Sequence, residues 1–373
     1  MADPTRPAVL AGGLVYPESP RWDRGSLLVS DVHAFRLVRV RPDGTWRTVR
    51  EVPGRPAGLG RLPDGRLLLA TALDRTLLAG PEDGPMSVHA DLSGLTTGLL
   101  NDMIVDPGGG AWVGDTGHAL GAPERPGRLL RVEADGTARV ACEDLVFPNG
   151  LALTPDGRTL YVAETFARRI TRFDVAPDGA LSGRAVHAVL DGIPDGLCLD
   201  GLGRLWVALP ELFRCDTVTP AGDVETAFGT GDWRPIAVCS GGPGRRTLFC
   251  TLARLPEDGT RSGRVAALPL EPGGAGTPDR RRRTHMRIAW ISGASSGIGA
   301  ACLEAAPAEI GTIVGVARRA PASPRAAHLA ADLARPRAWQ DVAADVDARL
   351  AAADVEHAYF LHLAGGTAPS APP

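Results

Sequence analysis

Six glycines punctuate the first 250 residues at nearly constant intervals: Gly25, Gly65, Gly109, Gly157, Gly203 and Gly244, spaced 40, 44, 48, 46 and 41 residues apart. Self-similarity at such a period is the mark of a repeat architecture, in which each unit buries its apolar face only against its neighbours. The best-preserved unit runs from Phe147-Pro148-Asn149-Gly150-Leu151 through Thr154-Pro155-Asp156-Gly157 to Leu160-Tyr161-Val162-Ala163. It reads as a polar residue at a strand start, an alternating strand, a tight turn and a second apolar strand carrying an aromatic. The other second strands are Leu27-Leu28-Val29, Leu67-Leu68-Leu69, Ala111-Trp112-Val113, Leu205-Trp206-Val207 and Leu248-Phe249-Cys250. A second hairpin follows each first one, as where Arg36 to Val40 turns at Pro42-Asp43-Gly44 into Trp46-Arg47-Thr48-Val49. Four strands per unit and six units predict an all-β six-bladed propeller over residues 1–270. The last unit is one strand short, while residues 6–10 precede the first inner strand. The N-terminus is therefore expected to complete the sixth blade and remove an open sheet edge.

The repeat also points to a site. Eight positions before the turn glycine stand Ala57, Asn101, Asn149 and Asp195, and Glu18 stands seven before Gly25. Inner strands surround the propeller axis, so equivalent positions converge on one mouth of the channel. Glu18, Asn101, Asn149 and Asp195 would then offer a ring of oxygen ligands with two negative charges. That set suits a hard divalent cation, calcium first, with magnesium or manganese as alternatives; zinc recruits His or Cys more often. The rival reading is that each polar residue merely caps a strand or turn. Trp112, Tyr161, Trp206 and Phe249, at equivalent second-strand positions, are expected to pack the blades.

Composition narrows the function classes. All 40 basic residues are arginine, which excludes any mechanism needing a catalytic lysine. A formal charge of −3 builds no field for nucleic acid, and the run Arg280-Arg281-Arg282-Arg283 reads as solvated linker. The six cysteines show neither C-x-x-C pairs nor zinc-finger spacing, so free thiols are expected. No apolar leader or membrane-length run is present, and the expectation is a soluble cytoplasmic protein with no membrane partner.

Residues 271–285 read as a Gly/Pro/Arg linker, and from Met286 the grammar changes. Short apolar strands at 287–291, 312–316, 326–330 and 358–363 alternate with helical patterns, one of them over 339–350. This alternation predicts a parallel α/β segment, an incomplete Rossmann-like sheet over residues 286–373.

The propeller segment resembles the SMP-30/gluconolactonase/LRE-like family. The resemblance rests on Gly13-Leu14-Val15-Tyr16-Pro17-Glu18-Ser19-Pro20-Arg21-Trp22, Asn101-Asp102-Met103-Ile104-Val105-Asp106, Pro148-Asn149-Gly150-Leu151-Ala152 and Ile193-Pro194-Asp195-Gly196-Leu197. It implies one divalent metal bound by Glu18, Asn149 and Asp195, with Asn101 beside it holding substrate or a metal-bound water. It further implies hydrolysis of a lactone or related ester, the cation polarising the carbonyl while water attacks. Asp195, or failing it Asp102, is the general-base candidate. Two positions depart from the family pattern. Leu99 stands where many members have a substrate-holding arginine, and His118 lies nearest to where some have an acidic residue. A substrate less polar than a sugar-acid lactone is one consequence; a propeller kept only as a binding module is the rival.

The C-terminal segment resembles the opening of a short-chain dehydrogenase/reductase. Ser292-Gly293-Ala294-Ser295-Ser296-Gly297-Ile298-Gly299 stands for its phosphate loop. By that resemblance Gly293, Ser295, Gly297, Ile298 and Gly299 would cradle a pyrophosphate. Arg318 would meet the 2′-phosphate of NADP, and Asp332 the adenine. Gly293 to Gly297 also fits Gly-x-Ser-x-Gly, but the continuing Ile298-Gly299 favours the phosphate loop. The family's Tyr-x-x-x-Lys pair is missing before Pro373, which argues against an NADP-dependent oxidoreductase.

Overall fold

The computed structural model describes residues 6–256, 259–270, 286–292, 312–319, 326–330, 340, 342, 344–345 and 355–361. Contacts divide the chain into two units, Met1–Gly276 and Thr277–Pro373.

Among the described residues of the first unit, six sheets of four antiparallel strands follow one another. Their first strands are Pro17–Asp23, Pro56–Arg61, Leu100–Val105, Pro148–Leu153, Leu197–Leu199 and Arg234–Gly241. Each packs against the first strands of its two neighbours, which closes a ring about one axis. The chain is a six-bladed propeller. The turn glycines that set the repeat all lie at positive φ, between 64° and 89°. Only glycine adopts this conformation without steric cost. At four of these turns an aspartate locks the backbone: Asp64, Asp106, Asp156 and Asp200 each accept a main-chain N–H two residues on, at 2.9, 2.8, 3.1 and 2.8 Å.

The second strands are buried throughout, and the core lies between blades rather than at a single centre. Leu28, Leu37 and Val52 of blade one pack with Leu59, Leu67 and Leu69 of blade two. Trp112, Tyr161, Trp206 and Phe249 are buried blade-packing residues, as their register predicts. The closure also follows expectation. Ala8–Leu14 pairs antiparallel with Ser262–Pro269, matching Ala8 to Ala267 and Leu14 to Gly263, so the first strand is the outermost of blade six. Trp22 of blade one stacks on Phe249 of blade six, with centroids 5.1 Å apart, sealing the inner side of the same junction.

In the second unit the described strands Met286–Ser292, Thr312–Ala317, Ala326–Ala330 and Val355–Leu361 form one parallel sheet. Their order is third, second, first, fourth. Residues 340, 342, 344 and 345 are helical, and Trp290 Nε1 donates to Asp345 Oδ2 at 2.9 Å. Arg318 is exposed just past the second strand. Gly293, Ser295, Gly297, Ile298, Gly299 and Asp332 lie outside the described residues, as does the linker at 271–285. No helix among the described residues is long and apolar enough to cross a membrane.

Candidate active site

The starts of the inner strands surround a cavity of about 390 Å³. Glu18, Asn101, Asn149 and Asp195 all line it, so the four residues singled out by register do converge. A backbone device aims them. Between blade strands one and two the pairing register slips at Glu18/Arg21, Pro56/Leu59, Leu100/Met103, Pro148/Leu151 and Pro235/Ala237. Each slip is a bulge beside or spanning a site position, and a bulge takes a residue out of the in/out alternation of its strand. The side chain can then face the axis while its neighbours stay in the blade.

Glycine next to the site residue lets the inner strands crowd together. A Cβ on Gly150 would lie 2.6 Å from Asp195 O, and one on Gly196 would lie 2.3 Å from the Ala237 Cβ. Gly150 N instead donates to Asp195 O at 3.2 Å, tying the Asn149 and Asp195 strands directly.

A second device fixes the loop before each site residue. Asp31 Oδ1 accepts the N–H groups of Val15 and Tyr16, at 2.9 and 2.8 Å. Asp115 accepts those of Thr97 and Gly98, both at 2.8 Å. Glu164 accepts that of Val146 at 2.8 Å, and Glu211 that of Ile193 at 3.1 Å. These four loops lead into Glu18, Asn101, Asn149 and Asp195. Blades two and six, which carry Ala57 and Ile236 at the site position, have no such carboxylate: Thr71 and Leu252 stand there, opposite Pro56 and Pro235. The pattern was available in the repeats Val29-Ser30-Asp31, Val113-Gly114-Asp115 and Val162-Ala163-Glu164.

The electrostatics at the floor of the cavity are those of a missing positive charge. Burial pushes the Glu18 carboxyl well above its usual range, and the charges of Asp195 and Asp102 push it further. Burial raises Asp195 to about 7, despite a hydrogen bond from Asn149. Neither forms an ion pair among the described residues, and Asp195 Oδ1 is buried without a hydrogen-bond partner. Both amides commit their nitrogens: Asn149 Nδ2 also donates to Thr165 Oγ1 at 3.3 Å, and Asn101 Nδ2 donates to Pro148 O at 3.5 Å. No hydrogen bond among the described residues occupies their carbonyl oxygens. Two unpaired carboxylates and two free amide oxygens fit a hard divalent cation. No cluster of three or more His, Cys, Asp or Glu side chains suited to a metal exists among the described residues, so amides must complete such a set.

One sequence expectation is corrected. Asp102 does not line the cavity. Its Oδ1 accepts from Ser19 Oγ at 3.1 Å, Arg21 Nη2 at 2.7 Å and Met103 N at 2.8 Å. A carboxylate committed to three donors braces the Glu18 strand and is not placed to take a proton from a substrate water.

Sequence reasoning missed a second ring. Two residues before each site position stand Tyr16, Arg55, Leu99, Phe147, Ile193 and Arg234, and all six line the cavity. Three consecutive blades contribute Leu99, Phe147 and Ile193; the other three contribute Arg234, Tyr16 and Arg55. The apolar half is deepened by Phe166, whose ring lies 4.8 Å from Phe147, and by His118, edge-on to Phe147 at 5.4 Å. On the polar half Tyr16 meets His33 edge-on at 5.0 Å. Burial, then the charges of Glu18 and Asp195, hold the Tyr16 hydroxyl well above its ordinary pKa. It is a neutral donor or acceptor beside the carboxylates.

The sequence matches the family model described as SMP-30/Gluconolactonase/LRE-like region over residues 16–254. The chain belongs to this family. It is 29% identical over 250 residues to pentonolactonase XacC of Haloferax volcanii, covering 65% of this chain and 83% of that one. It is 30% identical over 249 residues to 6-deoxy-6-sulfogluconolactonase of Pseudomonas putida, covering 64% and 84%. The fold is similar to that of a calcium-binding protein, regucalcin, from Agrobacterium tumefaciens: TM-score 0.61 and 22% identity, over 71% of this chain and 96% of that one.

Proposed function

We propose that the propeller hydrolyses a lactone, with a divalent cation held by Glu18, Asn149 and Asp195 and with Asn101 beside it. The observation that carries this reading is the pair of half-buried carboxylates without an ion pair, Glu18 and Asp195, lining one open cavity. Membership of a family whose similar relatives are named lactonases supports it. When bound, a divalent cation supplies Lewis-acid polarisation of the ester carbonyl and offsets the charge of the two carboxylates.

The chain's own residues do the rest. Asp195 is the base: it lines the cavity, and its Oδ1 lacks a donor, which leaves that oxygen open to a proton from water. Asn101, at the rim of the carboxylates, orients the lactone or the water through its free carbonyl oxygen. Leu99, Phe147, Ile193 and Phe166 exclude water from one side of the reacting ring. Leu99 puts an apolar wall where the family resemblance implied a substrate-holding arginine, so the substrate's face over blades three to five is hydrocarbon rather than polyol. The metal is divalent; calcium is the first choice for an all-oxygen set.

Chelated protein reloaded with calcium, magnesium, manganese or zinc, assayed on a panel of γ- and δ-lactones, tests the reading. Turnover that returns with metal and is lost in Asp195→Asn is the expected result. No metal-dependent turnover on any lactone, or turnover indifferent to Asp195→Asn, would sink it. For the second unit we propose only a fold: the parallel order third, second, first, fourth is that of half a Rossmann-like sheet. The 373 residues contain no lysine for dehydrogenase chemistry.

A further inference from the structure

We propose that the lactone this cavity takes carries an anionic substituent, an oxyanion such as a carboxylate, sulfonate or phosphate, seated on Arg55 and Arg234 across Tyr16. The inference rests on the lactonase reading for the identity of the ring, and on the second ring of cavity residues for the charge.

Arg55 is the first observation. It lines the cavity, yet makes no ion pair and no side-chain hydrogen bond among the described residues, and its Nε is buried without a partner. Burial alone lowers its pKa, with no carboxylate close enough to counter it. The neighbouring arginines behave differently. Arg21 is paired with Asp102, Arg36 with Asp31, and Arg39 and Arg61 share Asp23 and Glu82, all within 3.1 Å. A guanidinium that gives up hydration without a partner is a site for a planar oxyanion. Its backbone is fixed as well. Arg55 sits at φ 62°, donates its N–H to Val52 O at 3.0 Å and accepts from Ala72 N at 2.8 Å. The left-handed conformation is costly for a residue with a side chain, and here these two main-chain hydrogen bonds hold it.

Arg234 is the second. It too lines the cavity without an ion pair; its guanidinium lies over the Phe213 ring at 4.9 Å and donates once, to Pro210 O at 3.3 Å. That arrangement leaves most of its donors for a ligand. His33 lines the same cavity, its pKa lowered by burial and by the charges of Arg261 and Arg55 against that of Asp31, and can donate to the same oxyanion. The two halves of the ring thus ask for different chemistry, hydrocarbon over blades three to five and negative charge over blades six, one and two. A neutral polyol lactone satisfies neither.

The test compares 5-oxotetrahydrofuran-2-carboxylate with its neutral isostere, 5-oxotetrahydrofuran-2-carboxamide, on the metal-loaded full chain. The expected result is a carboxylate preference of about tenfold or more in kcat/KM, residing in KM. Arg55→Gln should collapse that ratio, Arg234→Gln should reduce it, and Arg55→Lys should keep part of it. Equal use of both lactones, or equal loss on both in Arg55→Gln, overturns the anion subsite and leaves the lactonase reading standing. Should neither of these two lactones turn over, the lactonase reading is decided by the wider panel above. Calorimetric titration of the metal-free chain with inorganic sulfate then decides the subsite: binding lost in Arg55→Gln supports it, and no binding to wild type overturns it.

Discussion

At the scale of single residues, the charge state of Asp195 is the quantity on which most else depends. Its folded pKa of about 7 lies above the ordinary 3.8. The metal-free folded chain therefore holds a proton that the unfolded chain releases. The resulting contribution to stability is fully present below pH 3.8 and is lost as pH rises through 7. Glu18 acts in the same direction. Metal-free wild type should lose melting temperature across that window, and Asp195→Asn should lose less; a flat wild-type profile would contradict the burial of these carboxylates. On the loaded enzyme the same substitution should cut turnover by about 10²–10⁴-fold, the usual range for a general base. The four cavity residues were readable from register alone, because a repeat puts equivalent positions in equivalent places. Asp102 was not: adjacency to Asn101 suggested chemistry, and only the three donors around it show a brace. Tyr16, Arg55 and Arg234 stand in the same register, but their side chains share no chemistry, so nothing in the repeat marked them as a set.

At the scale of elements, the carboxylates at the ends of second strands are the testable feature. Replacing Asp115 by Ala strands the N–H groups of Thr97 and Gly98, which it now accepts at 2.8 Å. The expected cost is about 1–3 kcal/mol for buried donors left unsatisfied, measured by urea unfolding. Activity should fall as well, since the freed loop leads directly into Asn101. Gly150→Ala tests the close approach between blades four and five. A methyl group 2.6 Å from Asp195 O must push the strands apart. A loss of about 1–3 kcal/mol is expected from overpacking, with weaker metal binding because Asp195 moves with its carbonyl. Turn chemistry and strand order were legible because Asp-Gly turns and apolar alternation are local signals. The bulges were not, since a one-residue slip leaves composition and period unchanged.

At the scale of the whole molecule, the ring is closed by non-local pairing of Ala8–Leu14 with Ser262–Pro269. Removing residues 1–14 should leave blade six with three strands and an exposed edge. The expected outcome is a broadened, lower thermal transition, and an unchanged melt would mean that closure contributes nothing. A chain ending at Gly274 retains every strand of the propeller and should keep metal-dependent turnover. The order of synthesis gives the closure a further meaning. Of the propeller's strands, the earliest in chain order is the last to find its partner, since Ser262–Pro269 must emerge before Ala8–Leu14 can pair. Throughout translation five blades can assemble in sequence while a short N-terminal strand waits. Its sequence, Ala-Val-Leu-Ala-Gly-Gly-Leu, includes two glycines that make it a weak template for pairing with itself or with another nascent chain.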